Sequence, residues 1–128
     1  MAKRTYDWLK QAERDLKHAR NSLKLKDYEW ACFAAQQSAE KGLKALYEFL
    51  GGEGWGHSVT KLLKELPLTL NKELMGKGAY LDKMYIPARY PNGFVSGSPA
   101  DYFTDKEARE AISYAKDILV FVKSKIYK

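Results

Sequence analysis

The stretch that decides the fold is YEWACFAAQQSAEKGLKALY, residues 28–47. Apolar residues recur there every three or four positions, which places them on one face of a helix. Small residues follow the same period beside them and let a neighbouring helix approach closely. We predict a central helix from an Asp27 cap to about Leu50, ended by Gly51-Gly52. The core stripe is Tyr28, Cys32, Ala35, Ala39, Leu43, Leu46 and Leu50, and the small residues are Ala31, Ala35, Ser38, Gly42 and Ala45.

Helical patterns also occupy most of the remaining chain, and no segment has a convincing strand pattern. They predict an all-α, up-and-down antiparallel helical bundle of four long helices plus a short one, in a single domain spanning residues 1–128. A long irregular loop, from Pro87 to Phe103, precedes the last helix. The other expected helices cover roughly residues 5–25, residues 59–66 after a Ser58 cap, Asn71 to about Ile86, and a last helix from the Thr104-x-x-Glu107 capping box to about Ile126.

The composition is ordinary for a soluble globular protein, with 45% hydrophobic and 30% charged residues. No run of 18 apolar residues and no apolar signal core occur, so we expect a cytoplasmic protein without a membrane partner. One cysteine, Cys32, lies on the apolar stripe and is expected to be buried filler. The net charge of +6 mildly favours an anionic partner. The basic stripe of the first helix, which could track phosphates or simply face solvent, is Lys10, Arg14, Lys17, Asn21 and Lys24.

The stretch MYIPARYPNGF, residues 84–94, places Arg89 between two prolines and several aromatic residues. Proline fixes φ and restricts the preceding residue, so this segment should be stiff and extended. A preorganised arginine suits a planar anion such as a carboxylate or phosphate. The alternative is that Arg89 pairs with Glu40 or Asp101 and only pins the loop.

Polar residues of the central helix supply the other wall of the predicted anion-binding cleft. Gln37, Lys41 and Lys44 lie on one helical face, and Tyr90 in the loop offers a ring on which a base can stack. The alternative is a stripe that only faces solvent. We expect no metal and no cofactor, because His18, His57 and Cys32 form no ligand spacing and GGEGWGHSV, residues 51–59, lacks the ending of a phosphate-binding loop.

The sequence resembles the HEPN domain family of small all-helical prokaryotic proteins. The most specific pieces are QSAEKGLKA, residues 37–45, and ARYP, residues 88–91. WLKQAERDLKHA, GHSVTKLLKEL and YFTDKEAREAISYAKDILVFVKSKI extend the resemblance over nearly the whole chain. It implies a bundle that commonly forms a homodimer, engages nucleotide or RNA, and is paired with a minimal nucleotidyltransferase in a toxin–antitoxin module.

Other members of that family cleave RNA without metal, using an arginine followed after about four to six residues by a histidine. No arginine of this sequence has a histidine in that window. Three functions remain: a non-catalytic nucleotide- or RNA-binding protein, a metal-free endoribonuclease with His57 as base and Arg89 as cation, and a purely structural dimeric assembly protein. A histidine after a glycine turn is more often a cap or a hydrogen-bond partner than a catalyst.

Overall fold

The computed structural model describes residues 3–128, which form helices and connecting segments without a strand. This confirms the predicted all-α class. α1 and α2 are joined by a short turn and pack along each other, and the last long helix packs against both. The helices are α1 (Thr5–Lys24), α2 (Tyr28–Phe49), α3 (Val59–Lys64), α4 (Lys72–Asp82), α5 (Pro99–Tyr102) and α6 (Asp105–Ile126), with a 3-10 turn at Pro91–Gly93.

α2 is the centre of the bundle, as its periodicity predicts. A methyl group placed on Gly42 would run into the side chain of Leu119 on α6, so the glycine permits close helix packing. α2 is also bonded to α1, because Ser38 Oγ on α2 donates a 2.7 Å hydrogen bond to the carbonyl oxygen of Ala12 on α1. Cys32 is buried, as predicted, and burial raises the pKa of its thiol to about 12. The thiol therefore acts as a small apolar side chain.

α4 ends at Asp82, and the predicted extension to Ile86 is wrong. Ile86 precedes Pro87, and the proline ring disfavours helical backbone at that position. The Asp82 carboxylate instead accepts hydrogen bonds from the start of α3, at 2.6 Å from Val59 N and 2.9 Å from Ser58 Oγ. This contact fixes α4 against the N-terminus of α3, because a carboxylate satisfies otherwise unpaired amides there.

The segment predicted to be irregular, Pro87 to Phe103, contains local structure that the sequence analysis missed. Ser98 and Asp101 form a capping box at the short helix α5, with Ser98 N donating to Asp101 Oδ2 at 2.8 Å. The hydrogen bonds from Ser98 lower the pKa of Asp101. Phe94 stacks on Tyr102 with the ring centroids 4.3 Å apart. Local capping and aromatic packing thus shape the segment that carries Arg89.

Most of the predicted helix starts are confirmed. The Asn71 side chain accepts from Leu74 N at 2.7 Å, the Ser58 side chain caps α3, and the Thr104–Glu107 capping box begins α6. Asp27 is the N-cap residue of α2, but its side chain makes no capping hydrogen bond. Among residues 3–128, no helix is long and apolar enough to cross a membrane.

Candidate anion-binding site

Arg89 lies in an aromatic corner made by α2 and the segment after α4. The central carbon of its guanidinium lies 4.3 Å from the ring centroid of Phe33, 4.6 Å from that of Tyr85 and 5.1 Å from that of Tyr90. Its Nε donates a 2.8 Å hydrogen bond to the carbonyl oxygen of Tyr85. Stacking on ring faces and this hydrogen bond together fix the direction of the guanidinium.

No carboxylate pairs with Arg89 in residues 3–128, so the expected alternative of a pairing with Glu40 or Asp101 is not what the structure contains. Asp101 is engaged by Ser98, and Glu40 by Lys44 at 3.0 Å. The arginine still fixes its segment, but through aromatic rings and a backbone carbonyl. Within the described part of the chain, its guanidinium therefore forms no ion pair.

Glu40 is the centre of a buried polar network on the same side of α2. Its carboxylate accepts from Lys44 Nζ at 3.0 Å and from Gln36 Nε2 at 3.3 Å, and it lies 3.2 Å from His57 Nδ1. Gln36 Nε2 also donates to the carbonyl oxygen of His57 at 3.0 Å, and Gln37 Nε2 donates to Gln36 Oε1 at 2.7 Å. The carboxylate side chain is only 4% exposed, and these donors compensate its burial.

His57 and Arg89 are brought together around one tyrosine. The His57 ring stacks on Tyr85 at 4.7 Å between centroids and 17° between planes, and the Arg89 guanidinium lies over the same Tyr85 ring. The His57 side chain is 57% exposed, with Nδ1 directed at Glu40. In the tautomer in which Nδ1–H donates a hydrogen bond to the carboxylate, Nε2 is the unprotonated nitrogen that can act as a base. The sequence alone gave no indication of this proximity.

Both lysines of the predicted cleft are already paired with acids. Lys41 Nζ lies 2.7 Å from Asp15 Oδ2 on α1, and Lys44 is paired with Glu40. These carboxylates offset the two positive charges that the sequence analysis assigned to an anion. Arg89 is therefore better able to attract an anion than either lysine, because both lysines are already ion-paired.

A groove of about 220 Å³ lies beside the Arg89 corner, and only two of the predicted site residues line it. These two residues are Gln37 and Lys41. Arg89 does not line the groove, but its guanidinium stacks on Phe33, which does. Lys44 lies outside, 5.5 Å from the ring centroid of Trp8. The side chains that line the groove are Asp15, His18, Trp30, Phe33, Ala34, Gln37 and Lys41.

Phe33 and Asp15 were not predicted as site residues, and Glu40 was considered as an alternative partner of Arg89. One signal was available for Phe33, because it lies one helical turn before Gln37 and so shares its face. The pairing of Asp15 with Lys41 depends on how α1 and α2 are rotated against each other, which helical periodicity leaves open. In the described part of the chain, no group of three or more histidine, cysteine or acidic residues is arranged to hold a metal ion.

Comparisons with known proteins agree on the family. The sequence profile of the HEPN domain matches residues 5–125. The crystal structure of TT1696 from Thermus thermophilus is 47% identical, with a TM-score of 0.95 over 97% of this chain and 99% of that chain. ST0689, described as an archaeal HEPN homologue, is 43% identical, with a TM-score of 0.84 over 98% of this chain and 99% of that chain.

A HEPN domain protein from Thermotoga maritima, TM0613, is 34% identical, with a TM-score of 0.79 over 95% of this chain and 98% of that chain. No curated protein matches the chain significantly. The profile match over nearly all of the chain and the close similarity to HEPN structures leave one assignment. The chain belongs to the HEPN domain family.

Proposed function

We propose that this HEPN protein binds nucleotide or single-stranded RNA, with Arg89 as its principal contact to phosphate. The observation that carries the proposal is the Arg89 guanidinium, which aromatic rings and the Tyr85 carbonyl hold in place without a carboxylate partner among residues 3–128. A guanidinium that is already oriented loses little further conformational freedom on binding. Its planar set of donors suits the oxygens of a phosphate group.

Exposed aromatic rings beside Arg89 support a ligand that carries a base. Tyr90 is 48% exposed and packs against the guanidinium, and Trp30, at the adjoining groove, is 49% exposed. Bases of single-stranded nucleic acid stack on such rings with little sequence preference. Gln37 at the groove adds an amide for hydrogen bonding. Lys41 and Lys44 contribute less, because Asp15 and Glu40 already offset their charges.

The proposal is tested by fluorescence anisotropy with a short labelled single-stranded RNA at two salt concentrations. We expect Arg89→Ala to weaken binding about tenfold or more and to reduce its salt dependence, because one phosphate contact is lost. Arg89→Lys should recover only part of the affinity, since lysine keeps the charge but lacks the planar donors. Lys64→Ala, which removes one charge on the exposed side of α3, is the control and should change affinity little.

Thermal unfolding of the same proteins separates a binding defect from a folding defect. Arg89→Ala removes stacking against Phe33, so a modest loss of stability is expected together with the loss of binding. Unchanged RNA affinity in a folded Arg89→Ala protein would overturn the assignment of Arg89. Absence of RNA and nucleotide binding by the wild type would favour the purely structural assembly protein.

A second candidate, a metal-free endoribonuclease, is favoured by one observation. His57 and Arg89 lie around the same Tyr85 ring, and Glu40 orients Nδ1 of the histidine. Metal-free cleavage requires a base for the 2′-hydroxyl proton and a cation for the phosphorane charge, and these two side chains are of the right types. The arrangement differs from the arginine–histidine spacing of the catalytic members that the sequence resembles.

A denaturing gel of end-labelled single-stranded RNA, incubated without metal, tests this candidate. Cleavage by the wild type that is lost in both His57→Ala and Arg89→Ala, but kept in Lys64→Ala, would establish an endoribonuclease. Intact RNA with protein that binds it would favour the non-catalytic function. Cleavage that survives in both site variants would point to a contaminating nuclease.

We extend the proposal to two protein partners. The family resemblance supports a homodimer and a minimal nucleotidyltransferase in a toxin–antitoxin module. Two exposed apolar residues, Ile86 and Trp30, lie near Arg89. They provide a surface that a partner protein can cover. Light scattering after size exclusion measures the homodimer, and co-purification with a nucleotidyltransferase encoded beside this gene tests the second partner. A monomer, or separate elution of the two proteins, would contradict the respective part.

A further inference from the structure

A second groove lies where α1 ends and α2 and α6 begin, and its lining is strongly basic. Its volume is about 370 Å³. Cationic residues from α1, from the turn before α2 and from α6 reach it, together with one tyrosine and one carboxylate. These lining residues are Arg20, Lys24, Lys26, Arg109, Tyr28 and Asp105. Their side chains give the groove a formal excess of positive charge, unlike the acid-paired groove beside Gln37.

The single carboxylate of this basic groove is already in use. Asp105 Oδ1 accepts a 2.6 Å hydrogen bond from Arg109 Nε. Within residues 3–128, neither Arg20 nor Lys24 nor Lys26 forms an ion pair. Asp27 and Glu29 follow in the chain but do not line the groove. Three cations that pair with no acid of residues 3–128 therefore share one concave surface, and their fields add there.

The backbone beside the groove is strained at Lys26, at a cost to stability. Lys26 has a φ of 64°, in the left-handed region that a residue with a side chain adopts at an energetic cost. It stands directly after the C-cap of α1, the position where glycine is usual. Strain of this kind is concentrated at functional sites. The strained backbone places a lysine, rather than glycine, at the mouth of the groove.

We propose that the basic groove is a second anion site, separate from the Arg89 corner, which binds a ligand bearing two or more phosphate charges. A single carboxylate would offset only one of the three unpaired cations, whereas a pyrophosphate-like group or adjacent backbone phosphates offset several. Arginine and lysine together are suited to phosphate, with Arg20 as a planar donor and the lysines as mobile point charges. The inference does not depend on Arg89 binding phosphate.

NMR titration of amide resonances tests the proposal, with inorganic pyrophosphate as the first probe. We expect saturable shifts at residues 24–28 and 105–109. The double variant Arg20→Glu/Lys26→Glu should weaken pyrophosphate binding about tenfold or more, because charge reversal repels the anion. The control Lys64→Glu/Lys72→Glu has the same change in net charge on α3 and α4, outside the groove, and should stay within about twofold of the wild type.

The outcome that overturns the proposal is equal weakening in the groove variant and the control, or shifts spread over all basic surfaces. Circular dichroism confirms that both double variants are folded. A second titration, with single-stranded RNA on the Arg89→Ala protein, identifies the source of the phosphate. Shifts at the groove with RNA would assign it to an RNA backbone, whereas shifts with pyrophosphate alone would assign it to a free oligophosphate. Loss of RNA binding at Arg89 leaves the pyrophosphate result unaffected.

Discussion

The turns that flank α2 share one hydrogen-bond pattern but place different residues at its left-handed position. At the turn after α2, Gly51 has a φ of 88° and donates to the carbonyl oxygen of Glu48 at 3.1 Å. Gly52 N then donates to the carbonyl oxygen of Tyr47 at 2.9 Å. These two hydrogen bonds form a Schellman motif, for which glycine is the least strained choice.

The turn before α2 repeats this motif with Lys26 at the left-handed position. Lys26 N donates to the carbonyl oxygen of Leu23 at 3.0 Å, and Asp27 N donates to that of Ser22 at 2.9 Å. A residue with a side chain is destabilised there by roughly 1 kcal/mol relative to ordinary helical backbone. The same chain uses glycine after α2 and lysine before it. The strained position of the first turn therefore carries a positively charged side chain, which the second turn lacks.

The two turns also differ in how the chain that follows is attached. After Lys26, α2 begins almost at once, whereas after Gly51 the chain is attached to α2 through His57 and Glu40. Removing the Glu40 carboxylate should therefore loosen the second connection only. We expect Glu40→Ala to lower the free energy of unfolding by about 3 kcal/mol, since it leaves Lys44 partly buried without its acid.

Urea unfolding followed by circular dichroism measures this loss, and Asp15→Ala is the matched control. Asp15 also pairs with a lysine of α2, but its side chain is 16% exposed against 4% for Glu40. We expect a loss of about 1 kcal/mol for the control, because the better-solvated Lys41 is less penalised. Equal losses in the two variants would show that burial does not distinguish these ion pairs.

A substitution at Gly51 tests whether the second turn needs glycine. Its φ of 88° lies beyond the narrow left-handed region that other residues tolerate. We expect Gly51→Ala to destabilise the protein by about 1 kcal/mol, with the strain exceeding the entropy that alanine removes from the unfolded chain. Gly76→Ala, inside α4 where a methyl group meets open space, is the control and should be neutral or stabilising. If Gly51→Ala leaves the free energy of unfolding unchanged, the second turn does not need glycine, and the two turns do not differ in strain.

Much of the fold follows from helical periodicity and capping chemistry. The stripe through Cys32, Leu43 and Leu46 predicts the buried face of α2, and Asn71 predicts the start of α4. These features depend on residues within a few positions of one another. The end of α4 was mispredicted because its apolar pattern runs on past Asp82, while Pro87 and the contact with α3 decide where the helix stops.

The candidate site was less predictable because its partners come from different helices. Periodicity placed Lys41 and Lys44 on an accessible face, but it did not specify that Asp15 and Glu40 would neutralise them. The prediction that the segment around Arg89 is extended is wrong, because residues 86–89 form a turn in which Arg89 N donates to the carbonyl oxygen of Ile86 at 3.0 Å. The stacking of Arg89 on Phe33 depends on the path of the chain after α4. Sequence patterns therefore identified candidate cations, and only tertiary packing decides which of them keeps its charge available.

The smallest expected effect is at Lys26, where stability and binding should change in opposite directions. Lys26→Gly should raise the free energy of unfolding by about 0.5 kcal/mol, because glycine relieves the left-handed strain but gains entropy in the unfolded chain. The gain is smaller than the loss at Gly51, because the φ of Lys26, 64°, lies within the left-handed region that side chains tolerate. The same variant removes one cation of the basic groove, so pyrophosphate should bind a few-fold more weakly.

Lys26→Ala separates the two effects, since it removes the charge but keeps a side chain at the strained position. We expect a lower free energy of unfolding for Lys26→Ala than for Lys26→Gly, measured with denaturant. The two variants should bind pyrophosphate with the same affinity. If both variants instead unfold at the same denaturant concentration, the Lys26 backbone carries no strain that glycine can relieve. If both bind pyrophosphate as the wild type does, the lysine makes no contribution to the groove. Opposite signs for stability and affinity would show that this turn gives up stability for the sake of its charge.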